Sequence, residues 1–121
     1  MEAEDLGLTY AKINVAGEKG SEQLELLVDT GSVFTWIPAD VLRKLGVKST
    51  GKRRFRTIEG RGIDRIVGEF VLELLGKRAT TIAVFAEKGD ASVLGAYSLE
   101  GLGFEVDPTT KQLKKVEAFI A

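Results

Sequence analysis

The chain has 121 residues, enough for one domain with a real core, and 44% apolar with 29% charged residues is ordinary for a globular protein. Its net charge of −1 offers no global field for nucleic acid or an anionic membrane. It has no cysteine and no histidine, which excludes disulfides, thiol nucleophiles, imidazole or thiolate metal sites and Ser-His triads, so acid–base work must rest on carboxylates, lysine or tyrosine.

The N-terminal MEAEDLGL is acidic and lacks the basic-then-apolar order of a secretory signal. No apolar stretch approaches bilayer-spanning length, so a soluble cytoplasmic protein with no membrane partner is expected. LTYAKINVAG (8–17) is rich in β-branched and aromatic residues and predicts a strand, with a turn through GEKGSE. QLELLVD (23–29) predicts a second strand, with Leu24, Leu26 and Val28 on one face. FTWIP is short and extended, because the residue before Pro38 is pushed to β. PADVLRKLG (38–46) predicts the one clear helix, with proline at its first position and Gly46 as its stop.

Strand signals then resume over 52–58, 63–75 and 80–87, with turns at EGRG (59–62) and GKRA. SVLG leads into a brief helix-like AYSLEGLG (96–103), followed by FEVDP, a turn at TTKQ and a last strand, LKKVEAFIA. Short strands at regular spacing with two small helical pieces predict one domain, a mostly antiparallel β barrel or sandwich.

One join needs a reason. Leu24, Leu26, Leu27 and Val28 run straight into Asp29, Thr30, Gly31 and Ser32, and the chain is apolar again at Val33, Phe34, Trp36 and Ile37. A carboxylate between two such segments either caps a surface turn or is held inside for a purpose, since burial without partners is costly.

Asp-Thr-Gly alone is a common turn sequence. Here it leaves one apolar strand, enters another, and is followed some sixty residues later by Val93-Leu94-Gly95 and a short helix. RFRTIEGRGIDRI lies between them. This order resembles the aspartic proteases: a catalytic loop, a flap hairpin, and an apolar-apolar-Gly segment threading beside the loop. With one Asp-Thr-Gly on a chain of half-enzyme size, the likeness is to the single-domain, retroviral-like (retropepsin-like) members, including their stand-alone cellular type. The sequence departs from the viral enzymes in Ser32, where many have alanine, and in Ala96-Tyr97 after Gly95. Leu94, Gly95 and Leu99 match the Leu-Gly-x-x-x-Leu of the cellular type.

The resemblance implies a single domain over 1–121: a mostly β, closed antiparallel β-barrel of the acid-protease type with one or two short helices, working as a homodimer. It assigns catalysis to Asp29, Thr30 and Gly31, dyad hydrogen bonding to Ser32, a substrate-binding flap to Ile58, Glu59, Gly60, Arg61 and Gly62, and support of the active site to Val93, Leu94 and Gly95. Two carboxylates in one small space share a proton, and such a pair activates water without metal or cofactor. The second carboxylate must come from Asp29 of another copy, and the tail LKKVEAFIA is assigned to the dimer interface. The expected substrate is a peptide or an unfolded protein. Gly31 lets a backbone donor approach the carboxylate, Thr30 bonds into the opposing loop, and Ser32 donates to the carboxylate.

Blander meanings stand beside these. Phe34 and Trp36 are expected in the core rather than against substrate. Lys52, Arg53, Arg54, Arg56, Arg61 and Arg65 bracket Phe55, but alternating strand cations usually mark a solvated face or a protected sheet edge, so nucleic-acid binding is not expected. They also leave room for favouring acidic substrate side chains at the cleft mouth. The rival reading from another class is a non-catalytic dimeric peptide-binding module of the same fold.

Overall fold

Alternation sets the first hairpin. In β1 (Tyr10–Gly17) the side chains of Ala11, Ile13 and Val15 are buried, while Lys12 and Asn14 are exposed. The chain turns through Glu18-Lys19 into β2 (Gly20–Asp29), with Gly17 paired to Gly20. A two-residue turn allows pairing to start at once, so β2 begins at residue 20, earlier than the expected 23. The computed structural model describes residues 9–116, so the first eight residues and most of the expected terminal strand, residues 117–121, lie outside the described part.

β3 (Thr35–Pro38) runs directly into α1 (Ala39–Lys44). Pro38 keeps an extended ψ of 130° and stands just before the helix, not inside it as expected. β4 (Ser49–Arg56) and β5 (Gly62–Leu74) form a long hairpin, and β6 (Lys77–Ala86) follows. The β5–β6 turn is Leu75-Gly76, both at positive φ (50° and 81°), the mirror-image geometry that matches strand twist. That tight turn carries β6 three residues further back than the sequence implies. β7 (Val93–Gly95), α2 (Ala96–Leu102), β8 (Phe104–Val106) and β9 (Leu113–Lys115) complete the chain, β8 and β9 pairing as a separate ribbon.

Six strands close on themselves in the order β1-β2-β7-β3-β6-β5, with β5 returning to β1 through Asn14↔Glu73, Val15↔Leu72 and Ala16↔Val71. β4 is attached outside this ring, on β5. The barrel is closed, as expected, but mixed rather than antiparallel throughout: β2 pairs with β7 and β3 with β6 in parallel, while β1–β2, β1–β5, β5–β6 and β3–β7 are antiparallel. Parallel partners need long crossovers, and both pairs are separated by the stretch containing α1, β4 and β5. Short-range spacing carries no sign of this.

The core holds Ile13, Val15, Ile37, Leu72 and Leu94, each no more than 1% exposed, and Leu42 of α1 and Leu99 of α2 pack into the same cluster. Fully burying each aliphatic side chain contributes roughly 1.5–3 kcal/mol. Among the described residues no helix is long and apolar enough to cross a membrane.

Candidate active site

Asp29 is the last residue of β2, and β7 lies directly beside it. The parallel register pairs Leu27 with Val93, Val28 with Leu94, and Asp29 with Gly95. β7 is also bonded to β3 on its other side, at Trp36↔Val93, so Val93-Leu94-Gly95 threads between the strand entering the loop and the strand leaving it. Two motifs sixty residues apart in sequence therefore meet.

The loop between those strands is tightly stapled. The Gly31 amide donates to Asp29 Oδ1 at 3.0 Å, and the Ser32 amide donates to the Asp29 carbonyl at 3.1 Å. A Cβ on residue 31 would stand 3.2 Å from that carboxylate oxygen, which is why glycine suits the approach. From the other side, the Ala96 and Tyr97 amides donate to the carbonyls of Ser32 (2.8 Å) and Val33 (2.9 Å). These are first-turn donors of α2, which lack partners inside the helix and find them in the loop. Gly95 is pressed against the same backbone: a Cβ there would lie 2.5 Å from the Phe34 carbonyl carbon and 2.9 Å from the Ser32 oxygen.

Beneath the loop lies a buried hydroxyl network that the sequence reading missed. Thr35 Oγ1 accepts from the Gly95 amide at 3.0 Å and lies 2.6 Å from Ser98 Oγ, which is 3.1 Å from Thr81 Oγ1. Thr35 and Ser98 are fully buried and Thr81 nearly so. The visible signal was a hydroxyl between Phe34 and Trp36 and another at an inward position of the short helix. Buried hydroxyls require partners, and these partner one another.

In the single chain the Ser32 hydroxyl donates to the Phe34 carbonyl at 2.8 Å, so there its proton serves the turn and not the Asp29 carboxylate. Asp29, Thr30 and Gly31 are exposed in the single chain. Thr30 edges an open groove of about 400 Å³ shared with Ala96, Leu99, Phe104 and Val106.

Ile58, Glu59 and Gly60 lie at the tip of the β4–β5 hairpin, Arg61 just after it, and Gly62 opens β5. Bonds from the Thr57 amide to the Arg61 carbonyl and from the Gly60 amide to the Thr57 carbonyl, both 2.8 Å, close the tip. Ile58 is fully exposed. Among the described residues no hydrogen bond joins this tip to the Asp29 loop. The hairpin reaches the loop's exit through Phe55 instead, whose ring centroid is 6.1 Å from that of Phe34 and 5.1 Å from that of Trp36. Phe34 and Trp36, expected in the core, are half-buried on this flank.

Arg65 does not belong with the exposed cations. It clamps Asp90 with bonds of 2.6 Å and 2.9 Å, and Asp90 also accepts from the Glu87 amide at 2.8 Å. Both side chains are about 15% exposed, and the Arg65 bond, aided by that amide, holds the Asp90 carboxyl below its ordinary value against the opposing effect of desolvation. The clamp fixes the loop that leads into β7. Asp107 is lowered too, by the Thr110 and Thr109 amides it accepts.

Among the described residues no three histidine, cysteine, aspartate or glutamate side chains converge as a metal site. No protein-family model matches the chain, and no curated protein matches it closely enough to count as a relative.

Proposed function

We propose that the chain is the subunit of a homodimeric aspartic endopeptidase of the retroviral-like type, acting on peptides or unfolded proteins. One observation carries the reading: Asp29 ends a strand in register with Gly95, its carboxylate held by the Gly31 amide and its loop held by α2. That is a rigid platform for an exposed carboxylate on a chain without histidine or cysteine.

In this reading two Asp29 carboxylates, one per subunit, meet at a two-fold axis and share one proton. The ionised member takes a proton from a water whose oxygen attacks the scissile carbonyl carbon. The shared proton passes to the carbonyl oxygen, giving a tetrahedral diol. The protonated carboxyl then gives its proton to the amine nitrogen as the carbon–nitrogen bond breaks, one diol hydroxyl returns its proton to the other carboxylate, and the singly protonated pair is restored. The β4–β5 hairpin closes over the extended substrate and excludes water.

The test is digestion of a denatured protein over about pH 3 to 7. Asp29→Asn should lower the rate on the order of a thousandfold or more while remaining folded. Adding excess Asp29→Asn subunits to wild type should depress the wild-type rate, because mixed dimers hold half a pair. A fragment ending at Asp107-Pro108 is discounted, since that bond breaks chemically in warm acid. Binding of peptides without cleavage at any pH would favour the non-catalytic module.

A further inference from the structure

We propose that Arg53 makes the peptide site selective for ligands carrying an acidic side chain, an inference that rests on the peptide-cleaving reading above. The hairpin's cations divide by face. On one side of β4 lie Lys52, Arg54 and Arg56; Arg54 pairs with Asp64 at 3.1 Å and Arg56 donates to the Gly60 carbonyl at 2.6 Å. On the other side lie Arg53 and Phe55, facing the strand that leaves the Asp29 loop.

Arg53 holds its guanidinium carbon 4.9 Å from the centroid of the Phe34 ring. Directly across the register from it is Arg65. Two like charges opposite each other repel, and only Arg65 is neutralised, by Asp90. Arg53 has no carboxylate partner among the described residues. It is exposed, yet oriented by the aromatic face beneath it, which leaves its N–H edge open to a planar acceptor. A carboxylate from an extended peptide running past the hairpin meets that outer edge in a two-bond fork.

The test uses fluorogenic peptides in which one Glu is scanned through the positions flanking the cleaved bond, each compared with its Gln counterpart. At one position kcat/KM near pH 6 should favour Glu by about tenfold, as expected for charge-assisted bonds. Arg53→Gln should bring that ratio close to one, and Lys52→Gln, with the same charge change on the opposite face, should preserve it. The preference should fade as pH falls below the ordinary Glu value of about 4.3. The same peptide pairs are titrated against Asp29→Asn and against its Arg53→Gln derivative, so that binding decides the matter even if no peptide is cut. A failure of cleavage alone counts against the protease and not against Arg53. Equal handling of Glu and Gln at every position in both assays overturns the inference, as does a preference that survives Arg53→Gln or disappears equally with Lys52→Gln.

Discussion

Asp29 and Gly95 face each other as the final residues of two parallel strands, and the amide of Gly95 is bonded to Thr35, six residues past the aspartate. The position of the carboxylate thus depends on a residue that carries no side chain at all.

Gly95→Ala should be among the most damaging small changes in this chain. Its methyl group would enter the backbone of Phe34 and Ser32, which cannot swing away as a flexible side chain does. A loss of about 3 kcal/mol in denaturant unfolding is expected, with any remaining folded protein inactive. A near-normal unfolding midpoint would mean that the loop yields more easily than its bonding implies.

Ser32→Ala removes the bond to the Phe34 carbonyl and should cost about 1 kcal/mol. The acidic limb of the kcat/KM profile should stay where it is in the wild type. An acidic limb displaced upward would show that Ser32 turns to the carboxylate when two loops come together.

Asp90→Asn removes the charged half of the Arg65 clamp. The Asp90 carboxyl is lowered on folding, so its contribution is present above the unfolded value of about 3.9 and is lost as pH falls through the lower folded value. The variant should be less stable than wild type by about 1–3 kcal/mol at neutral pH, with the gap closing in strong acid. Urea unfolding at several pH values measures it; a gap that is constant with pH contradicts the assignment.

If the hairpin closes over substrate, amides across residues 57–64 should exchange quickly in the free protein and slow by about tenfold or more when a statine-type inhibitor is bound. Mass spectrometry of exchanged peptides reads this directly. Identical exchange in both states would remove the flap role.

Much of the candidate site could be proposed from the sequence because its parts are local. Asp29-Thr30-Gly31 breaks an apolar run, Val93-Leu94 precedes a glycine, and Glu59 to Gly62 has the composition of a turn. The parallel neighbours of β2 and β3 could not be read, because pairing between strands some fifty or sixty residues apart leaves no trace in alternation. Nor could the partner of Arg65: six cations in one stretch look alike until the fold brings Asp90 to one of them. The acceptor that Ser32 takes in the single chain was hidden for a similar reason. A hydroxyl beside a carboxylate in sequence had a nearer acceptor in its own turn.

The hydroxyls of Thr35, Ser98 and Thr81 have a consequence for spectroscopy. The platform under Asp29 is made of alcohols and amides, which do not ionise across the range where carboxylates titrate. A carboxyl signal from Asp29, isotopically labelled for infrared or carbon NMR, would change with pH against a silent background. A band whose response differs between dilute and concentrated protein would mark two such residues brought together, as the proposed dimer requires.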